Sequence, residues 1–213
     1  MASRVQVRGM TALMVLALGL PSAAFARFVA HGGPPLRLTE RVLRSDELVG
    51  FVPKARPTSV WSLRDWNKLA PSGGIDVTKR LSRAGFIAGV REDLKWSKGD
   101  DRGALSVAVR LGSAKLAAAE IAQQLKDFAG EPARGRAKSY TAFAVKAIPG
   151  SHGFTLVSGE GAGHNIIWAD GPFVYHVGVG WGQQANDPPT REQLIAAASH
   201  LYQRVHGRSA PTR

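Results

Sequence analysis

The segment from His164 to Trp181, HNIIWADGPFVYHVGVGW, limits what this chain can fold into more than any other stretch. β-Branched and aromatic residues lie on both sides of Asp170-Gly171, a composition typical of strands. An Asp-Gly pair favours a two-residue hairpin turn, because a type I′ turn needs positive φ at both central residues. The sequence therefore predicts a β-hairpin. Its expected cross-strand pairs are Trp168 with Phe173, Ile166 with Tyr175, and His164 with Val177, whether the turn is Asp170-Gly171 alone or a loop ADGP widened by Pro172.

Residues directly opposite each other in a hairpin share one face of the sheet. One predicted face carries the aromatic rings and is expected to be a core surface: His164, Ile166, Trp168, Phe173, Tyr175, Val177 and Val179. The other face carries Asn165, Ile167, Val174 and His176, followed by Gly178 and Gly180. His164 and His176 are therefore expected to point to opposite sides, where they cannot share a metal ion or form an acid–base pair.

Two longer segments have the periodicity of amphipathic helices. In residues 114–128 the apolar stripe is Ala117, Ile121, Leu125 and Phe128. In residues 190–205, Thr190 and Gln193 have the spacing of a capping box, in which each side chain bonds the other residue's backbone N–H. We expect one α+β domain with a mainly antiparallel sheet and both long helices on one face. The element order also suggests two pseudo-repeated αββα halves, 59–130 and 140–206.

The first 26 residues have the three parts of a secretory signal. Arg4 and Arg8 precede the apolar run MTALMVLALGL, and Ala24-Phe25-Ala26 fits a cleavage site after Ala26. The run is too short for a membrane anchor, which needs about 20 apolar residues. We predict a signal peptide over 1–26, a flexible lead-in over 27–35, the domain over 36–206 and a tail over 207–213. The mature chain is expected to be periplasmic or extracellular, with no transmembrane segment.

Cysteine is absent, which excludes disulfides, thiolate metal sites and a cysteine nucleophile. The formal net charge is +12, of which the signal segment supplies only Arg4 and Arg8. Two interpretations of this surplus remain open. It is either an ordinary solvated surface, or it attracts an anionic partner such as a wall polymer or a lipid headgroup surface. The charges are scattered, aromatic residues do not interleave with them, and the signal pattern predicts export. These features argue against a genomic nucleic-acid partner.

The familiar motifs of hydrolases, metalloenzymes and nucleotide-binding proteins do not occur in the sequence. His176 and Asn165 share the glycine-bearing face of the hairpin, so they are the candidate ligand-binding residues together with Gly178 and Gly180. If the chain is an enzyme, His176, Asn165 and Glu160 are the candidate catalytic residues. We expect no metal site and no cofactor.

The order of features resembles that of uncharacterised exported bacterial proteins. The features are the signal peptide, a short tryptophan-containing helix, Gly85-Phe86, two similar halves and the final helix TREQLIAAASHLYQRV. It also resembles, distantly, the sandwich of secreted and lipoprotein domains related to the PsbP group, although the lipoprotein cysteine is missing here. The resemblance implies an exported α+β sandwich and assigns no site residues.

Three functional hypotheses follow. The first is a non-catalytic binding or accessory module outside the cytoplasm, with an unidentified partner that would be anionic if the charge surplus has a role. The alternative is an exported hydrolase or lyase of unfamiliar type that uses the His176 face. A third is an assembly module with an uncovered sheet face as its interface.

Overall fold

The computed structural model describes residues 36–54, 59–67, 77–99 and 101–206. In these ranges the strands are β1 (Phe51–Pro53), β2 (Ser59–Trp61), β3 (Ala88–Trp96), β4 (Gly103–Arg110), β5 (Ser139–Phe143), β6 (His152–Val157), β7 (Gly161–Asp170) and β8 (Phe173–Gly182). The helices are α1 (Leu63–Asn67), α2 (Val77–Arg83), α3 (Ala114–Ala129) and α4 (Arg191–His206), with a 3-10 turn at Leu38–Glu40. The predicted signal peptide, lead-in and tail lie outside the described residues.

The strands form one antiparallel sheet in the order β1-β3-β4-β8-β7-β6-β5, and β2 also pairs with β3. The predicted α+β class and mainly antiparallel sheet are therefore confirmed. β7 and β8 are the longest strands and lie in the interior of the sheet, because β4 and β6 pair with their outer edges. None of the helices in the described ranges has the length and apolarity to cross a membrane.

The hairpin forms as predicted, but its register differs by two residues. Trp168 pairs with Tyr175, and Asp170 pairs with Phe173, so Gly171 and Pro172 make the turn. The predicted turn would have placed Pro172 in the hydrogen-bonded ladder, where it has no N–H to donate. Gly171 takes the positive φ of the turn, 55°. A shift of two residues leaves each side chain on its predicted face, because side chains alternate with a period of two.

Both long helices begin where the sequence indicates. The Ser113 hydroxyl accepts a hydrogen bond from the Leu116 N–H at 3.2 Å and caps α3. At α4, the Gln193 N–H donates to Thr190 Oγ1 at 3.2 Å, and the Thr190 N–H donates to Gln193 Oε1 at 2.9 Å. This reciprocal pair is the predicted capping box, and it satisfies backbone donors that the helix itself leaves unpaired.

The two long helices lie on opposite faces of the sheet, so their predicted placement on one face is wrong. We call the face that packs against α4 the α4 face; it includes Ile166, Trp168, Tyr175 and Val177. The opposite α3 face includes Val109, Phe154, Ile167 and Val174. Both faces of the hairpin carry buried apolar side chains, and helices stacked on one face would have left the other in water. One helix on each face covers apolar side chains on both sides of the sheet.

The proposed αββα repeat is also not found. Within the described ranges an αββα order occurs once, as α2-β3-β4-α3, whereas the second half reads β5-β6-β7-β8-α4. Gly85-Phe86 precedes the β3-β4 hairpin, whereas the Gly-Phe pair of the second half, Gly153-Phe154, lies inside strand β6. A strand–strand–helix order does recur, but its two helices cover different faces, so the two halves are not equivalent in space.

Residues 36–54 complete the cover of the α4 face. Their buried apolar side chains join the α4 core: Leu36, Val42, Leu43, Leu48 and Phe51. Arg204 of α4 fixes this segment by donating to both carboxylate oxygens of Glu47 at 2.8 Å and to the carbonyl of Val42 at 2.8 Å. The segment therefore seals the face opposite His176 and leaves the α3 face to be covered by α1, α2 and α3.

Candidate functional site

A cleft of about 400 Å³ lies between the α3 face of the sheet and the helices above it. Apolar side chains from the sheet and from all three helices make up most of its lining: Trp66, Val77, Leu81, Val107, Val109, Phe128, Leu156 and Val174. Small-molecule sites in proteins have this character, with about 300–1,000 Å³ of mainly apolar surface and a few placed polar groups. His176 contributes such a polar group at the sheet side of the cleft.

His176 and Asn165 lie side by side on the α3 face, as the hairpin pattern predicts. The distance from His176 Nε2 to Asn165 Oδ1 is 2.9 Å. Asn165 Nδ2 donates to the carbonyl of Gly163 at 3.4 Å, which fixes the amide with its oxygen towards the ring. An amide oxygen only accepts, so Nε2 carries the proton and donates it. The neutral ring consequently keeps its other nitrogen, Nδ1, as an acceptor.

The surroundings of His176 favour this neutral form. Burial, and after it the nearby positive charge of Arg91, together lower the pKa of His176 to about 4. Phe128 of α3 packs edge-on against the ring, with centroids 5.8 Å apart and planes at 70°. The imidazole is thus fixed by an amide on one side and an aromatic ring on another, and it is uncharged at neutral pH.

The absence of a side chain at Gly178 leaves room for the Asn165 amide. A Cβ atom at position 178 would lie 2.7 Å from Asn165 Oδ1, closer than two such atoms approach in proteins. Its missing side chain thus lets Asn165 reach His176, and because Gly178 also lines a groove beside Asn165, its ligand role stays a prediction. At Gly180 a Cβ would meet nothing nearer than the Ala162 carbonyl at 3.8 Å. Gly180 is part of an open floor instead.

That floor continues beyond the apolar cleft as a shallow groove. The paired row Gly103, Gly180 and Gly163 crosses β4, β8 and β7 without a side chain. Asn165 lies at the boundary, since it lines this groove while His176 lines the cleft. The two cavities therefore meet at the His176–Asn165 pair.

Glu160 does not join the predicted catalytic group. It is exposed in the turn between β6 and β7, where its backbone N–H donates to Ser158 Oγ at 3.1 Å. It lines a second open groove, which shares Gly163 and Asn165 with the first. Among the described residues, neither a hydrogen bond nor an ion pair links its carboxylate to His176 or Asn165. The structure thus brings two of the three candidate catalytic residues together.

Charged side chains at the cleft are paired with one another. Arg80 of α2 lies 3.0 Å from Glu120 Oε1 and 2.5 Å from Asp127 Oδ2 on α3. Burial raises the pKa of Glu120, and a hydrogen bond from Gln124 and the positive charge of Arg80 oppose this effect. These contacts join α2 to α3 and complete the helical wall of the cleft.

His164 lies on the α4 face, as predicted, away from His176. Its Nδ1 is 2.9 Å from Thr155 Oγ1, and its ring packs edge-on against Trp181 with centroids 4.7 Å apart. Burial lowers its pKa. In the part of the chain that the structure describes, no group of three or more histidine, aspartate or glutamate side chains is arranged to hold a metal ion.

The sequence analysis did not identify the cleft or the helix residues that line it. Placing both helices on one face removed α3 from the His176 side. The missed residues are Trp66, Arg80, Glu120, Gln124 and Phe128. A signal was present in α3, where Glu120, Gln124 and Asp127 form a polar stripe beside the apolar stripe of the same helix. A buried carboxylate in such a stripe needs a partner from another element, and Arg80 supplies it.

Sequence comparison finds neither a matching family model nor a similar curated protein. Comparison with solved structures does find a similar fold. The crystal structure of the extracellular domain of PknH from Mycobacterium tuberculosis superposes with a TM-score of 0.50 and 16% sequence identity. The match covers 82% of this chain and 98% of that domain. The two proteins therefore share the α+β fold built on this sheet.

Proposed function

We propose that this protein is an exported, non-catalytic binding module whose cleft holds a small apolar or amphipathic molecule. The observation that carries the proposal is the cleft itself, about 400 Å³ of mainly apolar lining, with the uncharged His176 on its sheet side and charged side chains that pair with one another on its helical side. An apolar surface of this kind is costly to leave in water, and a ligand with an apolar body would remove it from solvent.

The state of His176 supports binding rather than catalysis. Its Nε2–H is committed to Asn165, and its low pKa makes it a weak base at neutral pH. A general base is usually oriented by a carboxylate or activates a neighbouring nucleophile. The contacts of this ring are instead with an amide and with Phe128. The hydrolase or lyase alternative therefore has less support than binding.

Two observations support a location outside the cytoplasm. The sequence begins with the pattern of a secretory signal, and the structural neighbour is an extracellular domain. The charge surplus supports a further part of the proposal, that an anionic wall polymer or headgroup surface holds the module at the cell envelope. This contact would use the outer surface and not the apolar cleft.

The proposal is tested by titrating the protein with N-phenyl-1-naphthylamine, an uncharged probe that fluoresces in apolar surroundings. Val107→Trp places an indole in the cleft and should weaken probe binding about tenfold or more, because burial of an apolar group contributes roughly 1.5–3 kcal/mol. Val60→Trp is the matched control. Val60 is exposed on β2 and pairs with Val90, whose side chain belongs to the α4 core.

The unmodified protein and the Val60→Trp variant should each bind one probe molecule per chain, with similar affinities. Circular dichroism and thermal melting would establish that both variants are folded. Equal probe binding by the Val107→Trp and Val60→Trp variants would rule out the cleft as the binding site.

A further inference from the structure

We infer that the cleft selects ligands whose head group donates a hydrogen bond, such as an alcohol or an amide, over ligands with an anionic head, because His176 presents an acceptor there. This inference rests on the proposed function and names the ligand class of the same site. The argument starts from the two nitrogens of the ring, which have different environments.

The donor nitrogen of His176 is occupied. Nε2 lies 2.9 Å from Asn165 Oδ1, and the orientation of that amide is set by its second bond, to Gly163. Nδ1 has no hydrogen-bond partner among the described residues. It also remains accessible to solvent. β8 is flanked by β4 and β7, so the ring is reached only from the α3 face, through the cleft.

A neutral ring with its proton on Nε2 offers a lone pair at Nδ1. A hydroxyl or amide N–H can donate to it, whereas a carboxylate has only acceptor oxygens and would place two lone pairs against each other. Protonation of Nδ1 would remove the conflict, but burial and the charge of Arg91 both disfavour the imidazolium. The arginines that line the cleft attract an anionic head group only weakly, because carboxylates neutralise their charges. Arg80 pairs with Glu120 and Asp127, and Arg136 pairs with Glu131.

The arrangement of the cleft lining predicts a ligand with its hydrogen-bond donor at one end of an apolar chain. Phe128 and Val107 lie next to His176, and further apolar side chains extend from there to Trp66. A ligand with an apolar body along this lining can therefore place a terminal hydroxyl or amide at Nδ1. Its apolar part would take its free energy of binding from burial, and the head group would set the preference between ligands of equal length.

The test uses three straight-chain probes that differ in the head group: 1-decanol, methyl decanoate and decanoate. Each competes with N-phenyl-1-naphthylamine for the protein at pH 7.5. Decanol should bind roughly two- to tenfold more tightly than methyl decanoate, the usual contribution of one hydrogen bond, and decanoate should bind the least tightly. Equal affinities for the alcohol and the ester would overturn the inference while leaving the binding cleft in place. Failure of all three to compete would overturn the proposed function as well.

Two variants test the role of the ring directly. Asn165→Asp keeps the shape of the amide but places a carboxylate beside Nε2, which favours a doubly protonated ring. The ring then presents an N–H donor to the cleft, so the order of decanol and decanoate should reverse. His176→Phe removes the acceptor and should abolish the preference for decanol over the ester while retaining the fluorescent probe. An unchanged order in both variants would exclude His176 as the selecting group.

Discussion

Replacement of Gly178 by alanine tests whether the Asn165–His176 pair depends on the bare backbone beneath it. The added Cβ would lie 2.7 Å from Asn165 Oδ1, so the amide has to move. Gly178 does not have a positive φ, and alanine is therefore compatible with its backbone. The effect on stability should come from the displaced amide and not from strain in the main chain.

The expected change in the free energy of unfolding depends on how the Asn165 amide responds to the added methyl group. If it rotates away, the hydrogen bond to His176 is lost, which costs about 1 kcal/mol. If its neighbours prevent rotation, crowding adds about 1–3 kcal/mol. Alanine restricts the unfolded chain and offsets about 0.4–1 kcal/mol. A glycine-to-alanine control elsewhere in the strand gains the same offset, so we expect Gly178→Ala to have a free energy of unfolding about 1–3 kcal/mol below that control, or about 2–4 °C in Tm for each kcal/mol.

Gly180→Ala is the matched control two residues along the same strand. Its Cβ would have ordinary contact distances, with the Ala162 carbonyl at 3.8 Å, so the variant should be as stable as the parent or slightly more so. Urea denaturation of both variants measures the difference. In an Asn165→Ala background the cost of Gly178→Ala should disappear, because the clashing atom is absent. Equal stabilities of the two glycine variants, or the same cost in both backgrounds, would refute the assigned role of Gly178.

Three further predictions concern pH, the α4 face and salt. The unfolded ring of His176 binds a proton near pH 6.5 and the folded ring near pH 4, so its contribution to stability should fall by about 3 kcal/mol as the pH drops through this range. His176→Gln should remove that part of the slope in urea midpoints, and a parallel slope would contradict the assigned pKa. Arg204→Met should cost about 1–3 kcal/mol, because the half-buried Glu47 carboxylate loses its ion partner and keeps the hydrogen bond from the Arg44 N–H, and Arg204→Lys should not restore the bidentate contact, both measured by denaturation. Retention on anionic vesicles should decrease with salt; salt-independent retention would argue against an electrostatic partner.

The features that the sequence predicted correctly are those set by local chemistry. Successive side chains of a strand alternate between the two faces of the sheet, which predicts the faces of the hairpin. The predicted faces remain correct despite the wrong register, because the register differs by two residues. The start of α4 follows from the spacing of Thr190 and Gln193. The register itself depended on whether Pro172 enters the ladder or the turn, and its missing donor excludes the ladder.

The features that the sequence did not predict depend on contacts between distant segments. The choice of face for α3 is decided by the total apolar surface on each side of the sheet, to which Phe154, Ile167 and Val174 contribute together. Arg80 and Glu120 are 40 positions apart in numbering, and only the packing of α2 against α3 makes them an ion pair. The sequence placed Asn165 and His176 on one face, but the cleft above them required the position of the helix.

The unequal cover of the two sheet faces explains why a cleft exists at all. The α4 face is closed by a long helix and by residues 36–54, and it buries Trp168 and Tyr175 with their rings stacked 4.9 Å apart. The α3 face has one long helix and the two short ones, and its glycine row extends past them. The closed face supplies stability from apolar burial. The open face can therefore keep an apolar surface and an uncommitted imidazole nitrogen exposed to a ligand, and ligand binding and its selectivity should respond to substitutions there and not on the α4 face.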